Sequence, residues 1–271
     1  MSAAPAVAFS FRRIGAMVRR YVYLLVGSGP RALDLLYWPI VQMILWGFMS
    51  QFLMTNSSYV ARAGGVLLGA VLLWDVMFRG QLGVSMSFLE ELWSRNLAGL
   101  FASPLRPIEW AAALVVMSLV RVVIGVVPAA LLAIVLYHYS IFSLGLPLLA
   151  FFVLLLAMGW GIGFIIGACL LRYGLGAESM AWAAVFLLAP AAAIYYPVAI
   201  LPVWLQYVAW AIPAAHVFEG MRAVMFGGQF PLVHLAAAFG LDALYLAIGI
   251  GAFLVAFEIA RRRGSLLQSG E

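Results

Sequence analysis

Long apolar stretches alternate with short clusters of polar residues along the whole chain. Residues 35–54, 142–171 and 180–202 contain no Asp, Glu, Lys or Arg. A helix needs about 20 apolar residues to cross roughly 30 Å of hydrocarbon, so this pattern predicts an all-α membrane protein with six transmembrane helices. We place the spans at approximately 34–55, 63–88, 108–137, 142–171, 179–196 and 235–259.

The segment ahead of the first span predicts a helix at 11–26 that lies in the membrane interface. Four arginines recur there with a seven-residue spacing, and apolar residues occupy the opposite side of the helical wheel. Such a two-sided helix is typical of the boundary between lipid and water. The chain thus divides into an N-terminal segment at 1–33, a transmembrane domain at 34–262 and a tail at 263–271.

The placement of basic residues predicts the orientation. All 15 are arginine, and they cluster before the first span, after the second and fourth spans, and near the C-terminal end, whereas the opposite loops hold only Arg62 and Arg222. Basic loops stay in the cytoplasm, so we expect a multi-pass protein of the cytoplasmic (inner) membrane with both termini cytoplasmic. The net charge of +5 then points to lipid head groups and not to nucleic acid.

The loop after the second span, at about 89–103, is dense in charge for so apolar a chain. It reads LEELWSRNLAGLFAS, with leucines at helical spacing and Glu91 one turn before Arg95. This pattern predicts a short amphipathic helix on the cytoplasmic side. The helix is either a connector or a docking surface for a soluble partner, and the candidate docking residues are Glu90, Glu91, Trp93, Ser94, Arg95 and Asn96.

The segment between spans five and six, at about 197–230, is apolar but interrupted by prolines. Proline lacks the backbone N–H donor and ends a helix, so we expect two re-entrant helices that dip partway into the outer leaflet. Three polar residues recur there at three-residue spacing and share one helical face. They form an outer gate or fix the re-entrant helix in place, and they are His216, Glu219 and Arg222.

Two of these segments resemble a known family. The run ELWSRNLAGLFASPLRPIEW resembles the signature that follows the second span in permeases of type-2 ABC exporters. The run YYPVAILPVWLQYVAWAIPAAHVFEGMR resembles the outer re-entrant region of the same family. The resemblance implies that the helix at 89–103 is a coupling helix that docks on a separate ATPase. It also implies two permeases and two ATPases in each transporter, and we expect a permease homodimer.

The chain itself lacks a common ATP-binding motif. The phosphate-binding loop GxxxxGK[ST] needs a lysine, and the sequence contains none. We therefore expect a non-catalytic membrane subunit without a cofactor of its own, with ATP and Mg bound by the partner ATPase.

Four charged residues fall inside predicted spans, namely Asp75, Arg79, Arg121 and Asp242. A charge in hydrocarbon costs at least about 2.5 kcal/mol, so such residues pair with one another or face an aqueous path. We favour pairing for Asp75 and Arg79, which lie one turn apart. Both interpretations stay open for Arg121 and Asp242.

Span four carries glycines at four-residue spacing, Gly159, Gly163 and Gly167, which predict close helix packing. Their spacing does not match a dinucleotide-binding motif. The three histidines are far apart in sequence and no Cys/His cluster occurs, so we expect no metal site.

These features predict a permease that exports a lipophilic or amphipathic substrate, drug-like or lipid-like, because the chain has few polar groups with which to bind a hydrophilic solute. A lipid-linked glycan or polysaccharide is the alternative within the same class. An intramembrane lipid-modifying enzyme is a third interpretation. It requires His and carboxylate residues that converge in one leaflet, and the sequence contains no such set.

Overall fold

The structure, a computed structural model, describes residues 9–56, 61–228 and 230–263. The predicted tail at 263–271 lies outside the described residues except for Arg263, and so do residues 1–8 and position 229 of the outer segment. The described residues form α-helices and short 3-10 helices, with no strand. The α-helices are α1 (Phe11–Val26), α2 (Gly29–Asn56), α3 (Ala61–Trp93), α4 (Leu97–Ala102), α5 (Pro107–Tyr137), α6 (Leu146–Tyr173), α7 (Glu178–Leu188), α8 (Val203–Trp210), α9 (Pro213–Gly227) and α10 (Leu232–Arg263).

Five apolar stretches of the described chain are long enough to cross a membrane. They are Gly29–Phe52, Gly65–Trp93, Pro107–Tyr137, Leu146–Leu188 and Leu232–Arg262. The all-helical membrane class is thus confirmed. The fourth stretch covers most of predicted span four and the first part of predicted span five, which are joined by a 3-10 turn. Gly174 begins that turn with a φ of 63°, a left-handed value that glycine adopts without steric cost.

The fifth predicted span, 179–196, is helical over only its first part. α7 ends at Leu188 because Pro190, just beyond it, has no N–H to continue the helical ladder. Its 11 residues rise about 16 Å, roughly half of the hydrocarbon thickness. The chain then continues as turns through residues 189–196. α7 alone is therefore too short to cross a membrane, and the six-span arrangement stays a prediction.

α6 forms the centre of the bundle, with α3 and α10 packed on it. A Cβ atom added at Gly159 would lie 2.7 Å from the carbonyl oxygen of Met77, and one at Gly163 would lie 2.8 Å from the Val84 Cβ. Gly167 instead lies opposite the ring of Phe253 on α10, at 3.4 Å. Two of the three predicted packing glycines thus bring α6 close to α3, and the third accommodates an aromatic ring.

α1 has the bounds that the sequence predicts and packs on α5 and α2. Ile14, Met17 and Tyr21 are buried on its inner side, whereas Arg12 and Arg19 are exposed. The helix is therefore two-sided as expected. Its place in the membrane interface stays a prediction.

The outer segment forms two short helices, as its prolines predict. α8 is largely exposed, and Trp204 and Tyr207 are its most exposed aromatic residues. α9 is largely buried and packs on α6 and α10, with Val217 and Phe218 among its buried residues. The depth to which the two helices enter a membrane stays a prediction.

The contact between α6 and α10 generates a first prediction. A Cβ atom at Gly249 of α10 would overlap the carbonyl oxygen of Gly161, whereas one at Gly251 would meet nothing within 4 Å. Gly249→Ala should therefore push the helices apart and destabilise the protein by about 1–3 kcal/mol. Gly251→Ala is the matched control and should not lower the thermal unfolding midpoint of the purified protein, because alanine is the better helix former. Equal midpoints for both variants would contradict the close approach.

Candidate functional site

α1 is fixed to the neighbouring helices by ion pairs. Arg13 donates from Nε to Glu109 Oε2 over 2.7 Å, and the backbone N–H of Ser10 donates to the other oxygen of the same carboxylate over 2.8 Å. Arg20 lies 2.7 Å from Glu91. Because Glu109 opens α5 and Glu91 lies near the end of α3, α1 ties these two helix ends together.

Glu90 and Glu91 are buried, so the prediction that they face a soluble partner is wrong. Glu91 is fully buried, and the Asn96 amide donates to its second oxygen over 3.1 Å. Glu90 accepts from the Arg121 guanidinium over 3.0 Å. The physical reason is that α3 stays helical through Trp93, which keeps both carboxylates inside the bundle beside arginines of α1 and α5.

The helix predicted at 89–103 is two elements in the structure. α3 ends at Trp93, the chain turns at Arg95 with a φ of 52°, and α4 follows with six residues. A left-handed φ is uncommon for a residue with a side chain, so this turn is a defined break. The predicted pair between Glu91 and Arg95 is therefore wrong, because Arg95 lies outside the helix and is exposed.

The segment 93–104, which we call the elbow, contains the exposed residues of the predicted docking set. Trp93, Ser94 and Arg95 are exposed, and Asn96 is half-buried. Beside the elbow is a groove of about 470 Å³ between α1 and α4. The groove is lined by Arg13, Ala16, Met17, Arg20, Asn96, Gly99, Leu100, Ser103, Pro104 and Leu105.

A second cavity, of about 280 Å³, lies among α2, α3, α5 and α7. Its polar lining consists of Arg31, Asp34, Arg79, Glu90 and Arg121, and its indole lining consists of Trp38, Trp93 and Trp182. The Nε atom of Arg121 is buried and has no hydrogen-bond partner among the described residues. The cavity therefore combines apolar surface with charged side chains.

The predicted intramembrane charges have different surroundings. Asp75 and Arg79 pair over 2.6 Å, as their spacing predicts, and Arg79 also faces the cavity. Arg121 pairs with Glu90. Asp242 is buried in α10, and neither of its carboxylate oxygens has a partner among the described residues. The structure thus brings Arg79 and Arg121 to one cavity and leaves Asp242 apart from it.

At the opposite end of the bundle, Arg222 and Glu219 hold the turns that follow α7. The Arg222 guanidinium donates to the carbonyl oxygens of Ala193 and Ile194, over 2.9 and 3.3 Å. Glu219 pairs with Arg222 over 3.1 Å and accepts the backbone N–H of Val198 over 2.7 Å. These bonds replace helical hydrogen bonds that the turns cannot make.

His216 makes a separate contact and does not join that pair. Its Nε2 donates to the carbonyl oxygen of Trp210 over 3.0 Å, and its ring centroid lies 5.8 Å from that of His234. The three residues predicted to share one face therefore do not act as a unit. Glu219 and Arg222 form an ion pair, and His216 separately caps the end of α8.

Sequence reasoning missed the roles of Arg13 and Arg20. Both belong to the seven-residue pattern of α1. That pattern predicts only that α1 has a polar side, and it names no partner for the arginines. The sequence signal for these ion pairs is that two carboxylates, Glu91 and Glu109, flank the short segment between α3 and α5. The indole N–H of Trp110 also donates to the Tyr21 hydroxyl over 2.9 Å, a contact that no local pattern predicts.

Comparison with known proteins assigns the family. The family described as ABC-2 type transporter matches residues 30–226, from the start of α2 to the end of α9. No curated protein matches the chain. The match contains the elbow and most of the cavity and of the outer segment, whereas α1 precedes it. The chain therefore belongs to the ABC-2 type transporter family, whose members of this kind are membrane permease subunits.

Proposed function

We propose that the chain is the transmembrane subunit of an ABC exporter that moves a lipophilic or amphipathic substrate across the cytoplasmic membrane. A separate ATPase would bind ATP and Mg, with two copies of each subunit in the transporter. The observation that carries the proposal is the exposed elbow, which lies within the family match and whose two ends join α3 and α5.

The ion pairs of α1 give the elbow a route for mechanical coupling. An ATPase that seats on the elbow and in the groove beside it would displace α4. The elbow begins at the end of α3, where Glu91 contacts both Asn96 and Arg20. It ends at the start of α5, where Glu109 contacts Arg13. A displacement of α4 would therefore move α1, α3 and α5 together.

The cavity among α2, α3, α5 and α7 supports an amphipathic substrate. Three indole groups suit an apolar body, and the arginines beside them suit a polar or anionic end. The same arginines favour a lipid-linked glycan or polysaccharide as the second candidate, because the lipid carrier of such a substrate bears phosphate. Binding of a drug-like amphiphile and of a polyprenyl phosphate to the purified protein would distinguish the two.

The arginine distribution supports a cytoplasmic elbow, which labelling of single cysteines tests. In a Cys169→Ser background, Ser143→Cys, in the exposed turn before α6, should react with a membrane-impermeant maleimide added to intact cells. Ser94→Cys, which is exposed on the elbow, should react only after the cells are opened. The reverse pattern would contradict the orientation and place the elbow on the wrong side for a cytoplasmic ATPase.

The elbow's exposed and buried charges should respond differently to reversal. Arg95→Glu changes an exposed side chain, so the protein should fold normally, with impaired co-purification of the ATPase and loss of substrate-stimulated ATP hydrolysis. Glu91→Arg places a cation beside Arg20 in a buried site and should destabilise the protein by about 3–5 kcal/mol.

A matched control for Arg95→Glu is Arg262→Glu, which reverses an exposed arginine on α10. It should retain both ATPase binding and coupling. Normal coupling in Arg95→Glu would mean that this part of the elbow is only a connector.

The outer pair supports a gate, and Glu219→Ala tests it. The variant removes the acceptor of the Val198 N–H and the partner of Arg222. It should cost about 1–3 kcal/mol in stability, retain ATPase binding, and alter export or admit small solutes. Gln206→Ala is the control, since Gln206 bonds only the carbonyl oxygens of Ala199 and Leu201 in the same segment. Unfolding of Glu219→Ala would assign the pair a structural role, and unchanged export would contradict the gate.

A further inference from the structure

α6 and α10 separate toward their C-terminal ends and leave a groove between them. The two helices approach most closely at Gly161 and Gly249. Further along, the ring of Phe253 is fully buried against Phe164, with 5.5 Å between ring centroids, and acts as a spacer. Beyond Phe253 the groove has a volume of about 470 Å³.

The walls of this groove are largely apolar and combine aliphatic residues with several small side chains. The small ones are Ala168 and Cys169 of α6 and Ala252, Ala256 and Ala260 of α10. They leave a channel between the two helices, and apart from Arg172 and Tyr173 its lining has only the weakly polar thiol of Cys169. Such a channel suits a flexible hydrocarbon chain.

An excess of positive charge marks the C-terminal end of the groove. Arg172, in the last turn of α6, lines the groove together with Tyr173, and its guanidinium carbon lies 5.5 Å from the centroid of the Tyr173 ring. Arg172 has no carboxylate partner among the described residues. Two further arginines follow Ala260 directly, and both bond to the single carboxylate of Glu258. Among the described residues, the positive charge of this end is therefore not balanced by carboxylates.

We propose that the groove binds an anionic phospholipid, with an acyl chain between α6 and α10 and the phosphate at Arg172. An exposed tyrosine beside an arginine at the end of a membrane helix is typical of the head-group level, where the phosphate of a bound lipid lies. A guanidinium forms paired hydrogen bonds with the phosphate oxygens of a phospholipid, and its positive charge favours a head group of net negative charge over a zwitterionic one. The site is on the opposite side of α6 from α3 and does not depend on what the protein transports.

Lipid titration of the purified full-length protein tests the site. A lipid that binds the native state raises the thermal unfolding midpoint in a concentration-dependent way. Dioleoyl phosphatidylglycerol should bind about fivefold more tightly than dioleoyl phosphatidylcholine. This factor in affinity corresponds to the attraction of one arginine to an anionic lipid surface. Native mass spectrometry should show one phosphatidylglycerol retained per chain.

Three variants assign the effect to this groove. Arg172→Gln should remove the fivefold preference, and Arg172→Lys should retain most of it because the charge stays. Ala256→Phe fills the channel and should weaken the binding of both lipids. Arg262→Gln is the matched control, since Arg262 is exposed at the same end but pairs with Glu258.

Arg262→Gln should keep the wild-type preference. Equal affinity of the wild type for the two lipids, an unchanged preference in Arg172→Gln, or the same loss in Arg262→Gln would each overturn the proposal. The last result would mean that the preference reflects general attraction of anionic lipid to the basic end of the bundle.

Discussion

A charged side chain inside a helical membrane protein is costly unless it is paired or faces water, and the arginine-rich half of this bundle is built on such pairs. Glu90 and Glu91 of α3 are paired with arginines from two other helices, α5 and α1. Glu109 at the start of α5 is satisfied by Arg13 of α1. Removal of one member of such a pair leaves an uncompensated buried charge, which costs about 3–5 kcal/mol. The relative positions of α1, α3 and α5 are therefore fixed by charge as much as by packing.

In the half of the bundle that contains Glu219 and Arg222, it is the polar groups of the backbone that need partners. Backbone N–H and C=O groups must also be satisfied where water is excluded, which is why irregular backbone in membranes is buried in protein. Pro190 ends α7 early, and Arg222 supplies donors to the carbonyl oxygens of Ala193 and Ile194. Arginine suits this position because its planar guanidinium carries five N–H donors and can reach two carbonyls and one carboxylate at once. Lysine carries its three donors on one atom, whereas Nε, Nη1 and Nη2 of Arg222 each bond a different acceptor.

Features that depend on local periodicity were accessible from the sequence, and features that depend on distant partners were not. The bounds of α1 follow from its two-sided pattern, and the close contacts of Gly159 and Gly163 follow from their spacing in an apolar helix. Hydropathy does not report whether an apolar stretch stays helical, so residues 180–202 predict a full span that Pro190 interrupts. The burial of Glu91 depends on Arg20, about seventy residues earlier, and no single sequence reveals that pairing.

α3 connects the two halves and explains how they can act on each other. It is 33 residues long, so it rises about 50 Å and exceeds the hydrocarbon thickness. One end carries Glu91 and leads into the elbow, while Trp74, near the midpoint, lies 6.4 Å from Phe218 of α9 between ring centroids. Gly159 and Gly163 allow the middle of α3 to approach the backbone of α6 closely. A single continuous helix therefore contacts both the start of the elbow and α9, which carries the Glu219–Arg222 pair.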